Sequence, residues 1–169
     1  MHVHFRPHIK TSKSESVTAM QLAAGACGIT VSTLLEAERF FETGITDILY
    51  AVGMVGSKLP QAMALRRRGC NLKIITDSLA SAETIVRFGA ENDMRFEVWI
   101  EIDSDDHRSG IKPDRDVLLD VGRLLHEGGM LLGGVMTHAG ASYELDVPEQ
   151  LIAMAEPVTK WATRVVDPE

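Results

Sequence analysis

Residues 28–51 read GITVSTLLEAERFFETGITDILYA. A short run rich in β-branched residues, GITVS (28–32), precedes a stretch with helical apolar spacing, TLLEAERFFET (33–43), and Gly44 closes that stretch. A second apolar run, ITDILYAV (45–52), follows at once. Strand, helix and strand in this order make a parallel βα unit, because two parallel strands need a crossover long enough to hold a helix.

Outward from this stretch the pattern recurs, and six such units can be counted. VHF (3–5) precedes a helix of about residues 14–24 closed by Gly25, and the run 45–52 leads to a helix ending near Arg68 and Gly69. NLKIITD (71–77) leads to a helix around SLASAETIVRFGAEND, and MRFEVWIEID (94–103) leads through a longer polar loop to DRDVLLDVGRLLHEGG. MLLGGVMTH (130–138) is followed by PEQLIAMAEPVTKWATRV. The strands read as short and continuously apolar, as expected where both faces of a sheet are covered. No linker or low-complexity tract divides the chain, so residues 1–169 are expected to form a single domain.

An open doubly wound sheet and a (β/α)8 barrel both accept this alternation. A dinucleotide-binding sheet should carry GxGxxG after its first strand, and none is present there. The 169 residues divide into six units of about 28, so eight units would need about 225, near the barrel norm of about 250. The expected fold is therefore α/β, a partial TIM-type (β/α)8 barrel of about six βα units lacking strands seven and eight. In either fold ligands sit at the carboxyl ends of the strands. Lys10 follows the first strand, Asp77 the fourth, Asp103 with Arg108 the fifth, and His138 with Tyr143 the sixth, and they would converge on one mouth.

Composition narrows the function. With 45% hydrophobic residues and a mean hydropathy of +0.02, the chain can bury the core of one ordinary domain. Its net charge is −7, and its densest basic run is Arg66, Arg67 and Arg68 at a helix end, so no nucleic-acid partner is expected. Cys27 and Cys70 lack CxxC spacing and read as reduced, buried residues, which suits a cytoplasmic protein. No apolar run reaches the roughly 18 residues of a spanning helix, and MHVHFRPHIK lacks the apolar region of a signal peptide, so neither membrane insertion nor export is expected.

Four residues carry the candidate chemistry. In FRPHIKTSKS (5–14), Lys10 stands past the first strand, stiffened by Pro7 and flanked by Arg6 and Lys13. A partly desolvated lysine near cations can attack a carbonyl and form a Schiff base; the plainer alternative is a solvated loop lysine. In EIDSDDHRSGI (101–111), Arg108 could bind an anionic oxygen as a planar fork, or could pair with Asp105 or Asp106. In MTHAGASYE (136–144), His138 could relay protons or brace an arginine, with Tyr143 shortly after, or could be a core histidine bonded to backbone. His2, His4 and His8 alternate, but His8 lies beyond Pro7 and no second cluster stands at ligand spacing, so no metal site is assigned. Met54, Met63, Met130 and Met136 read as core filling.

With Lys10, Arg108 and His138 at successive strand ends, the sequence resembles the barrel domain of the alanine racemase-fold pyridoxal 5'-phosphate enzymes, and most of all the branch of D-threonine aldolase and D-serine dehydratase. RPHIKT resembles that branch's cofactor-lysine motif, and residues 28–51 are similar to its second and third βα units. IEIDSDDHRSGI and THAGASY resemble the segments that bear the matching Arg108 and the matching His138 and Tyr143. The resemblance covers about residues 3–145; where much of the branch has histidine after the KT pair, this chain has Ser12.

The resemblance implies that Lys10 holds pyridoxal phosphate as a Schiff base, that Arg108, His138 and Tyr143 help bind it, and that Lys10 and His138 serve catalysis. It implies a lyase acting on a D-amino acid, of which these residues are a fragment, an incomplete alanine racemase N-terminal-like barrel domain without the C-terminal β domain. A divalent metal would enter only with that C-terminal domain. Two alternatives stay open, an amino-acid racemase-like enzyme and a non-catalytic truncated fragment. An unclosed barrel would leave open sheet edges through which the chain could self-associate.

Overall fold

The structure is a computed structural model that describes residues 3–106 and 108–166, with the side chains of all of these except 157, 158 and 160–166. His2 and His107 lie outside the described residues. Two compact units can be distinguished, Met1–Ile74 and Ile75–Glu169, and the boundary falls inside a strand.

The first unit contains α1 (Glu15–Ala23), β1 (Ile29–Val31), α2 (Leu34–Glu42), β2 (Asp47–Gly53), α3 (Leu59–Arg67) and most of β3 (Asn71–Thr76). Its helices start and stop where their residues dictate. Ser14 Oγ accepts from the Val17 N–H at the start of α1. At α2 a full capping box forms, Thr33 Oγ1 accepting from the Glu36 N–H and Glu36 Oε2 accepting from the Thr33 N–H. Gly25, Gly44 and Gly69, all with positive φ, follow the three helices. Leu34, Ala37 and Phe40 on α2, and Leu59, Ala62 and Leu65 on α3, recur every three residues and are buried. β1 and β2 are parallel, with Ile29 opposite Ile48 and Val31 opposite Tyr50.

The second unit contains α4 (Leu79–Asn92), β4 (Glu97–Ile102), α5 (Val117–Glu127), β5 (Leu131–Thr137) and α6 (Pro148–Val166). β4 and β5 are parallel, with a register shift between Val98 and Trp99. Gly133 and Gly134 of β5 lie beside the Trp99 indole, and a Cβ at Gly133 would stand 2.2 Å from its Nε1. On β4, Val98, Ile100 and Ile102 are buried, and Ile100 packs toward Gly122 of α5. The five strands are ordered β1-β2-β3-β4-β5 in the sheet, the chain order expected of repeated right-handed βα units. Among the described residues no helix is long and apolar enough to cross a membrane.

The βα reading holds for five strands and shifts at the first. Residues 3–5 form no strand; the chain instead makes a single parallel bridge at His8, opposite Thr30. Phe5 O accepts from Cys27 N, Pro7 O from Thr30 N, and Thr30 O from Ile9 N. Pro7 has no N–H to add to this ladder, which is why pairing shrinks to one bridge and moves toward Lys10.

Candidate functional site

Lys10 lies on a turn just past the His8 bridge, beyond the end of β1. Ile9, 1% exposed, anchors the turn in the core, and the Lys13 N–H closes it on Ile9 O at 2.9 Å. Lys13 takes φ +45°, a left-handed conformation that a side chain seldom adopts. Lys10 itself is exposed, and its backbone N–H donates to His8 Nδ1 at 3.3 Å.

The lysines of the chain differ in how their amines are spent. Lys13 pairs with Glu36 at 3.0 Å, Lys73 with Asp47, and Lys112 with Asp103 and Asp106. Lys58 donates to Tyr50 Oη at 2.8 Å and lies over its ring. Among the lysines with described side chains only Lys10 makes no ion pair or side-chain hydrogen bond. An amine held in an ion pair is not placed to meet a carbonyl, so among the lysines with described side chains Lys10 is the one left unengaged.

Arg6 and Lys13, the cations beside Lys10 in the sequence, are committed to carboxylates. Arg6 Nη2 donates to Asp47 Oδ2 at 2.9 Å, and Lys73 meets the other oxygen. Burial works against ionisation of Asp47, but the hydrogen bonds and charges of Arg6 and Lys73 outweigh it and hold the carboxyl below its usual range. Burial likewise opposes ionisation of Glu36, and the Ser32 N–H, Lys13 and the Thr33 N–H outweigh it. Cys70 is pushed up to about 11 by burial, which Arg66 and Arg68 only partly offset, so it is an inert thiol at neutral pH.

In the second unit, Arg108 stands exposed on the loop after β4. The ends of that loop are pinned: the Ile111 N–H donates to Glu101 O at 2.9 Å, and the Asp103 N–H donates to Ile111 O at 3.1 Å. Gly110, at φ +129°, permits this closure, since a Cβ there would stand 2.4 Å from Asp103 N. The acidic residues of the loop are used internally. Asp103 Oδ1 accepts from the Asp106 N–H at 2.9 Å, Lys112 pairs with Asp103 and Asp106, and Asp105 Oδ2 accepts from the Ala141 N–H at 2.7 Å. Ser104 of this loop and Thr137 at the end of β5 share a hydroxyl hydrogen bond at 2.8 Å, a second tie between the ends of β4 and β5.

His138 is half-buried just past β5, and Tyr143 stands on a 3-10 turn, Gly140–Glu144. Their rings meet edge to face with centroids 6.0 Å apart. The structure thus brings together His138 and Tyr143 and ties their segment to the loop of Arg108, while Lys10 belongs to the other unit.

Glu101 was not anticipated from the sequence. It is only 6% exposed, and Ser109 Oγ donates to its Oε2 at 3.0 Å. Burial pushes its carboxyl up, Ser109 pulls the other way, and the nearby Asp77 and Asp103 carboxylates add to the rise. The signal lay in MRFEVWIEID, where Glu97, Glu101 and Asp103 alternate with apolar residues, so that one face of this strand is polar rather than apolar.

The match to protein families decides the lineage: residues 2–168 fit the model described as alanine racemase, N-terminal domain. The chain belongs to this alanine racemase N-terminal family. Among curated proteins, it is 64% identical to D-threo-3-hydroxyaspartate dehydratase of Delftia sp. over 155 residues, 91% of this chain and 41% of that protein. It is 28% identical to D-serine dehydratase of Dictyostelium discoideum, over 90% of this chain and 42% of that protein. The solved Delftia dehydratase superposes with a TM-score of 0.92 at 60% identity, covering 97% of this chain and 44% of that one. The chain therefore spans about two fifths of the length of these relatives. Alanine racemase of Clostridium difficile, 17% identical, shares the fold with a TM-score of 0.79. The α/β architecture of this alanine racemase family member is accordingly the partial TIM-type barrel expected from its βα repeats.

Proposed function

We propose that this chain is the cofactor-lysine-bearing part of a pyridoxal phosphate-dependent lyase that acts on a D-configured 3-hydroxy amino acid, D-threo-3-hydroxyaspartate or D-serine in character. The observation that carries the reading is Lys10, the unpaired amine among four engaged lysines, in a chain that resembles a D-threo-3-hydroxyaspartate dehydratase over nearly its whole length. The residues suit the cofactor: a free amine can bond its carbonyl carbon, and a guanidinium can meet its anionic oxygens. When bound, pyridoxal phosphate supplies an electron sink for charge released at the substrate's Cα.

Lys10 holds the cofactor on a turn whose backbone is fixed while its side chain stays accessible. Arg108 presents its fork from a loop closed at both ends, so that its reach is limited to one region. His138 holds or moves a proton at its imidazole, with Tyr143 packed against its edge to restrict the ring and to line the cofactor site. Each of these residues follows a strand or bridge, on the side where ligands of βα folds bind. A divalent metal, where one is used, is assigned to a C-terminal domain of the longer enzyme; a relative of this chain, a variant D-threo-3-hydroxyaspartate dehydratase, is described in a metal-free form. We place the protein in the cytoplasm, with a small amino acid as its ligand, neither nucleic acid nor membrane as partner, and self-association through its sheet edges.

Racemase chemistry on the same fold is the second reading, and a non-catalytic fragment is the third. One experiment separates them from the first. Pyridoxal phosphate is added to the purified chain, the visible spectrum recorded, the sample reduced with borohydride and the adduct located by peptide mass, with Lys10→Ala alongside. Adduct confined to Lys10 and lost in the variant is expected, and dehydration of D-threo-3-hydroxyaspartate rather than racemisation is expected of the full-length enzyme. Labelling spread over surface lysines overturns the assignment of Lys10.

A further inference from the structure

The turn that carries Lys10 is enclosed by a circuit of hydrogen bonds that never uses the Lys10 amine. The Lys10 N–H donates to His8 Nδ1 at 3.3 Å, and His8 Nε2 lies 3.3 Å from Ser32 Oγ. The Ser32 N–H donates to Glu36 Oε2 at 2.8 Å, Glu36 Oε1 pairs with Lys13 Nζ at 3.0 Å, and the Lys13 N–H returns to Ile9 O at 2.9 Å. The circuit thus leaves the turn at His8, crosses the end of β1 and the first turn of α2, and re-enters at Lys13.

His8 is the one member bonded directly to Lys10. Its Nδ1 can accept only with its lone pair free, so the neutral ring carries its proton on Nε2 and donates it to Ser32 Oγ. That tautomer is assigned from the hydrogen bonds the ring makes. The half-buried ring joins the main chain of Lys10 to the end of β1, where the bridge at Thr30 already fixes His8 itself.

We propose that His8 is a positioning residue for Lys10: it fixes the lysine's backbone through Nδ1, in the Nε2–H tautomer, and so presents the amine in one place without binding it. The role of Lys10 rests on the function proposed above, whereas the hydrogen-bond assignment does not.

The test uses the full chain, wild type and two variants. His8→Phe keeps a ring but no acceptor; His8→Asn keeps an acceptor, because an Asx side chain bonds the N–H two residues on. Three readouts are taken: ring nitrogen shifts of His8 by NMR, hydrogen exchange at the Lys10 amide, and the rate of borohydride-trapped pyridoxal phosphate adduct at Lys10. The Thr30 amide, bonded to Pro7 O, serves as the control for an intact fold. The expected result is an Nε2–H ring in the wild type. In His8→Phe, exchange at Lys10 should rise and trapping at Lys10 should fall, each by about fivefold to tenfold, the size of one net hydrogen bond. Both should recover in His8→Asn.

A ring protonated on Nδ1 in the wild type overturns the proposal even if His8→Phe fails to fold. So does His8→Phe with unchanged exchange and trapping, or His8→Asn that folds and shows no recovery. Failure of the wild type to trap cofactor at Lys10 removes the proposed function instead, and the tautomer and exchange readouts still decide the place of His8.

Discussion

In the first unit, the half-buried carboxylates are matched with cations: Asp47 sits between Arg6 and Lys73, and Glu36 holds Lys13 and two backbone N–H groups. In the second unit they are crowded together: Glu101 lies near Asp77 and Asp103, with one hydroxyl donor from Ser109 and with Lys112 serving Asp103 and Asp106. The ionised form is favoured at Asp47 and Glu36 and disfavoured at Glu101. Charge in the first unit holds the chain together around a lysine left free. At the end of β4 and in the loop after it, by contrast, carboxylates lie near one another and, among the described residues, share the single cation Lys112. Carboxyl groups perturbed by burial and like charge cluster at functional sites.

The largest effect should come from removing the space that the first unit's pairing needs. Gly28 has φ +119°, and a Cβ there would stand 2.4 Å from Arg6 Nη1 and 2.6 Å from Asp47 O. Gly28→Ala should therefore both strain the backbone and expel Arg6 from Asp47, lowering stability by about 2 to 4 kcal/mol in urea denaturation. A loss under about 0.5 kcal/mol, the range of a neutral surface change, would mean that the Arg6–Asp47 pair is incidental.

Asp47→Asn keeps the volume and removes the charge from Arg6 and Lys73. Asp47 is about a third exposed, 36% at its side chain, so the loss at pH 7 should be modest, about 1 to 2 kcal/mol after allowing for solvent screening. The carboxyl is held below its ordinary value of 3.8, so its contribution is present above that pH and disappears as pH falls through the folded value. Wild type and variant should converge in acid, which thermal melts across the acid range would check.

Much of this was legible in the sequence, for physical reasons that also mark where legibility ended. Helix limits were readable because glycines stand just past α1, α2 and α3, and only glycine takes their positive φ without strain. The first strand was misplaced because apolar VHF looks like a strand, while the hydrogen bonds that make one are interrupted at Pro7. Lys10 was found from RPHIKT, but its freedom could not be, since that depends on partners up to 26 residues away taking up the other amines, as Asp47 does for Lys73. Arg108 was expected to pair with Asp105 or Asp106, or to bind a ligand; Asp106 in fact has Lys112, and Asp105 has the Ala141 N–H. Glu101 was passed over because β4 was read as continuously apolar, when only one of its faces is.

The smallest expected effect is also the one of opposite sign, and it bears most directly on the contrast between the units. Glu101→Gln keeps an oxygen for Ser109 Oγ and removes a charge that burial, Asp77 and Asp103 all disfavour. At neutral pH the variant should melt higher than the wild type, by about 1 to 3 °C. A carboxyl whose folded value is raised gives full stability below its ordinary value of 4.5 and loses it as pH rises through the folded value. The advantage of Glu101→Gln should therefore vanish below that pH and grow above it, whereas the deficit of Asp47→Asn should shrink in acid and persist at neutral pH. If Glu101→Gln instead lowers the melting point at neutral pH, the Glu101 carboxylate has a cationic partner in solution. The second unit would then be paired like the first. If it raises stability as expected, a wild-type chain that keeps a destabilising carboxylate beneath the loop of Arg108 keeps it for what that charge does there.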